Sequence, residues 1–515
     1  MRALLSVADR EGISALARDL AGLGVELYAT DGTREHLLAD GIDALPVTTL
    51  TNVPPLVGGL VKTFHPAVYA GILARRDRPE ELAELAEHGI GLLDLVVVTV
   101  KPFAPQVGER RLPLEEALEM IDVGGTALLS AAARNHAGVA AVSSPSAYAE
   151  VVAEIRERGS VSAELRQRLA AEAFAVVAAH HAEVAAYLNQ ITGNPFPPHV
   201  SIVLEKVTDL PYGENPHQRA AFYRETTHRD GKLADAVQLQ GRPPTFNDLL
   251  DLDAAWVIAR DFSAPTAVVV RHTDPVGLAS DDGLPEAYRR ALETDPAAGF
   301  GAIIGVNRRM DVTTAKLIAA GTFEAVVAPG YDDAALLALS ERPGLEVLLV
   351  PPNPLDGLRD YGIAALDFKR IGGGLLVETL DHTAIDRGQL RVVTQRRPTL
   401  EELTDLMFAW RVVAHVRSNA IVLCRDLQTV GIGAAQVNRQ VAVEVALRRA
   451  GDRAKMAVMA SDAYFPFPDA IAHAAIAGVS AIVQPGGSRR DEMAIEVADR
   501  HHLAMVFTGR RHFRH

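Results

Sequence analysis

The order of apolar and polar positions divides the chain into alternating strands and helices. Ala3 to Val7 is a short apolar run, and Ile13, Leu16, Ala17, Leu20 and Leu23 then recur at helical spacing. Glu26 to Tyr28 predicts a second strand, closed by T-D-G-T. The runs L-L-D-L-V-V-V-T-V, ending at Val100, and G-V-A-A-V-S-S, ending before Pro145, are apolar and bounded by turn signals. Such runs suit a parallel sheet covered on both faces. An alanine-rich pattern predicts one long helix from about Ala163 to Ile191. It stops in T-G-N-P-F-P-P-H-V, where Pro195, Pro197 and Pro198 forbid continuation.

That stop is the expected domain boundary: 1–193 as a first domain, 194–204 as a linker and 205–515 as a second. The second part again alternates strands with helices. It divides into candidate halves, about 205–370 and 375–515, with a join at Ile371 to Leu375. Within it, Val268 to Val270 predicts a buried strand that runs straight into Arg271, His272, Thr273 and Asp274, then Pro275 and Gly277. A core strand ending abruptly in polar side chains is expected to present them to a crevice, as strand carboxyl ends do in α/β enzymes.

Length changes the picture little: 515 residues exceed one core and call for two or more domains. The net charge of −14 argues against non-specific binding to nucleic acid or an anionic membrane, though not against a small anionic substrate. The single cysteine, Cys424, allows no internal disulfide, as expected of a cytoplasmic chain. The first residues lack an apolar run of signal-peptide length, and no uninterrupted apolar run approaches the ~20 residues of a membrane span.

Several turns sit where strands end. Thr30, Asp31, Gly32 and Thr33 lie between a strand and a helix, which suits a phosphate or simply a capped turn. Lys62, Thr63 and His65 lie among glycines before Pro66, as ligand groups or as a solvated loop. Asp122 precedes Gly124 and Gly125, which permit close backbone approach, and Arg134 and His136 follow along the next helix. Tyr212, Gly213, Asn215, Pro216, His217 and Gln218 form a turn rich in hydrogen-bonding groups. Ser418 and Asn419 lead into a strand, and Gly431, Gly433, Gln436 and Arg439 follow in T-V-G-I-G-A-A-Q-V-N-R. The cluster Asp462, Tyr464, Phe465, Phe467 and Asp469 is either a core plug or a stacking surface for a flat heterocycle. Gln484 ends a strand before P-G-G-S-R-R-D-E opens a helix. His181 and Glu183 give half of a zinc-deaminase signature, but one cysteine cannot supply the other half. His181 therefore reads as a helix-face residue.

Taken in order, V-K-T-F-H-P-A-V-Y-A-G-I-L-A-R-R, I-D-V-G-G-T-A-L-L-S-A-A-A-R-N-H, Y-G-E-N-P-H-Q, S-N-A-I-V, S-D-A-Y-F-P-F-P-D, Q-P-G-G-S-R-R-D-E and the terminal R-H-F-R-H resemble the family of bifunctional AICAR (phosphoribosylaminoimidazolecarboxamide) formyltransferase/IMP cyclohydrolases. The resemblance spans essentially the whole chain. It implies an α/β architecture: a methylglyoxal-synthase-like N-terminal domain for the cyclohydrolase, then two cytidine-deaminase-like halves without zinc for the formyltransferase. It also implies a homodimer, 10-formyltetrahydrofolate as co-substrate, and AICAR and formyl-AICAR/IMP as nucleotide ligands.

For formyl transfer the resemblance implies His272 as the proton-transfer residue, since imidazole titrates near working pH. Arg271 stands where the family usually has lysine, so it can stabilise charge but is a poor acid. Asn419 would orient the amine or polarise the formyl group. Tyr212, Asn215, His217, Asn247, Arg439, Phe467 and Arg511 would line the AICAR site, with Asp469 on the folate side. For cyclisation it implies a nucleotide cradle of Ser6, Thr30, Gly32, Thr33, Lys62, Thr63, Asp122 and Gly124, with Arg134 replacing a family lysine. Family positions for arginine, asparagine and tyrosine hold Leu60, Thr99 and Lys101 here, and Lys101 would compensate. These departures leave open a formyltransferase whose first domain only binds nucleotide.

Overall fold

A computed structural model describes residues 1–103, 107, 112–226, 231–351, 366–381, 385 and 387–515. The chain forms two compact units, the first principally Met1–Leu204 and the second from Glu205 onward.

The first unit is a five-stranded sheet of β1 (Arg2–Val7), β2 (Glu26–Ala29), β3 (Leu45–Pro46), β4 (Leu95–Thr99) and β5 (Ala140–Val142), in the order β3-β2-β1-β4-β5. Every pair is parallel, as the apolar runs require. Successive side chains in a strand point to opposite faces. Leu5, Leu95 and Val97 therefore join one core, while Leu4, Val96 and Val98 join the other. The long helix is Ala163–Thr192, ended by Gly193 at φ 69°. Its 30 residues and peak mean hydropathy of 1.2 suffice by length and composition to cross a membrane. In the fold, its Leu165, Leu169, Ala170, Ala173 and Val177 are buried in the two cores.

The second unit opens with a hairpin, β6 (Leu204–Leu210) and β7 (Ala220–Glu225). Its body is a twelve-stranded sheet. The first half supplies β8 (Val237–Gln240), β9 (Thr266–Arg271), β10 (Asp274–Ser280), β11 (Ile303–Val306), β12 (Ala325–Ala328) and β13 (Glu346–Leu349). A separate hairpin, β14 (Leu366–Ile371) and β15 (Gly374–Thr379), follows, so the expected join at Ile371 to Leu375 spans its turn. The second half supplies β16 (Arg391–Val392), β17 (Ile421–Arg425), β18 (Gln428–Gly433), β19 (Val458–Ser461), β20 (Ala481–Gln484) and β21 (Ala504–Phe507). The order β16-β21-β20-β19-β17-β18-β10-β9-β11-β12-β13-β8 reads the same from either edge once the halves are matched.

The match extends to residues. A spacing of 154 separates Thr245 from Thr399, Asp251 from Asp405, His272 from Asp426 and Gly277 from Gly431. The helices Phe246–Arg260 and Leu400–Val413 both begin with a capping box, on Thr245 and Thr399, and lie on the same face of the sheet. Gly277 and Gly431 let the helices Leu284–Glu293 and Arg439–Ala450 press onto the other face. A Cβ there would lie 2.0 Å from the Ala291 oxygen or 2.2 Å from the Ala446 oxygen.

One expectation is corrected. The valine strand does not simply stop at its polar residues but reverses at once into β10, so Pro275 and Gly277 are strand residues. His272 and Thr273 form the reversal at φ 54° and 64°. The usual glycine or asparagine of such a turn is missing, which hides it in the sequence.

The halves meet at β10 and β18, whose ladder has a single registered pair, Ala279 with Gln428. The fully buried Thr429 hydroxyl completes the seam. It accepts from the Leu278 amide at 2.9 Å, donates to the Leu278 carbonyl at 3.1 Å and lies 2.9 Å from the Thr294 hydroxyl. Thr429→Val keeps the shape and removes these bonds. Each buried group left unsatisfied should cost about 1–3 kcal/mol, read as a lower denaturant midpoint; a midpoint equal to the parent's would show the seam needs no hydroxyl.

Candidate functional site

In the first unit the predicted residues gather at strand carboxyl ends. Thr30 follows β2 and precedes the helix Asp31–Ala39, which begins with Asp31, Gly32 and Thr33. The Thr30 hydroxyl donates to Ser6 Oγ at 3.2 Å, and Thr33 Oγ1 accepts the Val7 amide at 3.0 Å. Ser6, Thr30 and Thr33 thus form one polar rim around a helix N-terminus. Lys62 and Thr63 precede the helix Pro66–Leu73, where His65 Nδ1 accepts the Ala67 amide at 3.2 Å. Thr63 lies against Gly124: a Cβ on Gly124 would be 3.6 Å from its hydroxyl.

Asp122 caps the helix Val123–Arg134 by accepting the Gly125 amide at 2.8 Å, and it also accepts the Lys101 amide at 3.3 Å. The two glycines have different duties. A Cβ on Gly125 would strike the Asp122 carboxylate at 2.7 Å, so that glycine serves the cap, while Gly124 faces Thr63. The Lys101 side chain is exposed, and the Thr99 hydroxyl, which accepts the Asp9 amide at 2.8 Å, is not. Arg134 is not brought to this group. It lies in the last turn of its helix, about 18 Å along the axis from Asp122 at 1.5 Å per residue.

In the second unit the turn 212–218 closes on itself: Asn215 donates to Gln218 Oε1 from its backbone at 2.8 Å and its side chain at 3.1 Å. Asn247, in the first turn of the helix Phe246–Arg260, donates to the Glu214 carbonyl at 3.3 Å, so Tyr212, Asn215 and His217 are tied to that helix. One turn further along, Asp251 accepts the amides of His272 and Thr273 at 3.0 and 2.6 Å. Arg417 donates to the His272 carbonyl at 3.0 Å and to Asp274 at 2.8 Å. Arg271 donates to the Phe300 carbonyl. Left-handed residues other than glycine cost about 1–3 kcal/mol each, so such a turn persists only where its surroundings hold it.

Asn419, two residues after Arg417, is itself fixed. Its amide group donates to the Gln436 carbonyl at 2.8 Å, and its oxygen accepts from Arg439 at 3.0 Å. Arg439 is buried in an ion pair with Asp462, which also accepts from the Ser418 hydroxyl. Arg439 therefore orients Asn419. The aromatic cluster divides: Phe465 is core, while Tyr464 and Phe467 are 41% and 55% exposed. The Arg490 guanidinium covers the Phe467 ring at 4.7 Å, and Asp469 opens the helix Asp469–Ile476. Arg511 stacks on Phe513 at 4.5 Å. Among the described residues, no group of three or more His, Cys, Asp or Glu could hold a metal ion.

Three residues escape the sequence reading. Arg417 has no local signal. Asp251 lies in T-F-N-D-L-L-D-L-D-A-A-W, which repeats as T-L-E-E-L-T-D-L-M-F-A-W with Asp405 in the same place. His180, next to the decoy His181, is buried and accepts the Asp122 amide on Nε2 at 3.1 Å. Burial holds its imidazole below the ordinary value of 6.5 against the opposing pull of Asp122, and His181 adds to the depression.

The unfolded chain then binds this proton more tightly than the folded one. His180 contributes fully above the ordinary value, and its contribution is lost as pH falls below it. His180→Gln keeps an acceptor for the Asp122 amide and has no proton to gain. Between about pH 7 and about pH 5, the parent should lose more thermal stability than this variant; parallel curves would remove His180 as the cause.

Comparison with known proteins matches residues 12–127 to an MGS-like domain and 132–449 to the AICARFT/IMPCHase bienzyme. The chain is 41% identical over its whole length, and 99% of the relative's, to a bifunctional purine biosynthesis protein PurH of Bacillus subtilis. It is 44% identical, again over its whole length and 98% of the relative's, to the protein so named in Xanthomonas oryzae pv. oryzae. The crystal structure of ForH aligns with 36% of this chain and 97% of its own, at 36% identity and a TM-score of 0.32.

Proposed function

The chain belongs to the AICARFT/IMPCHase bienzyme family, and from that membership we propose which of its residues carry the two reactions. It is a bifunctional enzyme of purine biosynthesis, an AICAR formyltransferase and IMP cyclohydrolase. The observation that carries this is similarity along the whole chain to bifunctional relatives, 41–44% identical.

Formyl transfer belongs to the second unit. The amine of AICAR is a poor nucleophile, because its electrons are delocalised into the ring and carboxamide. 10-Formyltetrahydrofolate supplies the formyl group, with Asp469 on its side of the site and the half-exposed Phe467 on the AICAR side. His272 takes the amine proton as the amine attacks the formyl carbon; the bond from that carbon to N10 then breaks, and tetrahydrofolate leaves with N10 protonated. Arg271, anchored on Phe300, offers a permanent positive charge to the developing oxyanion. Asn419, held by Arg439, orients the reacting groups. Tyr212, Asn215, His217 and Asn247 position the nucleotide. The duplicated mixed-sheet halves support reading each as cytidine-deaminase-like without zinc.

Cyclisation belongs to the first unit. The carboxamide nitrogen attacks the formyl carbon and water leaves. The rim of Ser6, Thr30, Gly32 and Thr33 at a helix N-terminus suits the nucleotide phosphate. Lys62, Thr63 and Asp122 flank the reacting end, and the exposed Lys101 supplies a cation or proton donor. A cytoplasmic homodimer completes the reading. The lone buried Cys424 suits a reducing compartment, and light scattering should give about twice 55.1 kDa; a lone monomer at working concentration would count against the dimer.

The assignment of sites to units is tested by a crossed pair. His272→Ala should lower formyl transfer by roughly 10²–10⁴-fold, the range for losing a general acid–base, and leave cyclisation of formyl-AICAR intact. Lys62→Ala should do the reverse, weakening cyclisation alone. Arg271→Lys should keep more transfer activity than Arg271→Ala, because it keeps the charge. Loss of both activities in a folded single variant would break the assignment.

A further inference from the structure

We propose that Asp251 and Arg417 are positioning residues for formyl transfer, clamping the His272–Thr273 turn so that the imidazole is held where the amine proton must leave. The proposal rests on the reading of His272 as the proton-transfer residue. Neither residue touches the reacting atoms in this account. They act through the backbone of the turn.

The clamp accounts for the polar backbone groups at the centre of the turn. Both Asp251 oxygens are used, one on the His272 amide at 3.0 Å and the other on the Thr273 amide at 2.6 Å. The His272 carbonyl accepts from Arg417 at 3.0 Å and from the Thr273 hydroxyl at 2.7 Å. Arg417 is itself aligned by Asp274, which takes its backbone amide at 3.0 Å and its side-chain Nε at 2.8 Å. The two anchors come from different halves. Asp251 rises from the helix beneath the turn, and Arg417 precedes β17 of the other half. The direction of the His272 side chain is thereby coupled to the packing of the halves.

The molecule carries its own control. In the second half, Asp405 accepts the amides of Asp426 and Leu427, both at 2.8 Å, under a turn at φ 54° and 57°. There too an arginine from the opposite half, Arg290, donates to the carbonyl of the first turn residue. The architecture is the same, but this turn carries aspartate and leucine where the other carries histidine and threonine. A merely structural duty would be shared by Asp251 and Asp405. A positioning duty would belong to Asp251.

The test measures both reactions in full-length variants. An asparagine oxygen can accept, but its amide group faces the second turn amide with hydrogens of its own. Asp251→Asn should lower kcat for formyl transfer by roughly 10–100-fold, since a small misplacement of a reacting group has effects of that order. The KM for AICAR and the rate of cyclisation should stay within about twofold of the parent, because binding groups and the other unit are untouched. Asp405→Asn should leave both activities within about the same range. Arg417→Ala should reproduce the kcat loss, and Arg417→Lys should restore part of it. Equal losses of transfer in Asp251→Asn and Asp405→Asn would overturn the proposal, as would parent-like transfer in Asp251→Asn beside an inactive His272→Ala. If Asp251→Asn does not fold, the Arg417 pair decides, and parent-like transfer in Arg417→Ala overturns the clamp. Parent-like transfer in His272→Ala would instead sink the underlying reading of the histidine.

Discussion

Thr429 lies where two six-stranded layers become one sheet, and the second unit depends on what its hydroxyl does there. Ordinary β-pairing would join β10 to β18 through a row of backbone bonds. Here the row is short, with one registered pair, and a side chain bonds both polar groups of Leu278. Thr294 bonds back to the Thr429 carbonyl at 2.6 Å, so the helix Leu284–Glu293 is tied to the same point. Arg453 adds a second tie from the other half, donating to the Glu293 and Thr294 carbonyls. With the seam fixed, the turns at His272 and Asp426 each come within reach of an arginine from the opposite half.

Duplication followed by divergence of side chains explains why the two matched turns share a backbone and differ in what they carry, His272 and Thr273 in one and Asp426 and Leu427 in the other. The capping boxes, the helix aspartates, the left-handed turns and the close-approach glycines are common to both halves. These are backbone requirements, and they reappear wherever the backbone does. The first residue of each turn, His272 or Asp426, is exposed and is free of that constraint. Histidine at one tip and aspartate at the other are therefore both compatible with the same turn.

The parts most legible in the sequence are those that repeat a simple period. The first unit's parallel strands stand out because both faces are buried and the runs are continuously apolar. The end of its long helix stands out because proline and glycine enforce it. The reversal at His272 and Thr273 is hidden, since its residues are not those that left-handed turns favour. Asp251 is hidden for another reason: one aspartate in a helix says nothing until the turn it holds is placed above it. Its recurrence at Asp405 in a shared T-x-x-[D/E]-L-x-D-L-x-x-A-W pattern is the signal available in the chain. His180 and Arg417 act across 58 and 145 residues, on Asp122 and on His272, which no local pattern reports. The family, by contrast, is legible from motifs alone, because short polar turns in a fixed order are more specific than any single one.

The seam also sets the order in which the second unit can assemble. The bonds of Thr429 to Leu278 close a separation of 151 residues, whereas the hairpins β9–β10 and β17–β18 reverse over two. Chain entropy penalises the long closure more than the short ones. The two hairpins are therefore expected to close ahead of the seam between them. The hydroxyl that joins them is a latch between two hung doors: a contact made late holds the closed state, so its loss is felt as faster opening.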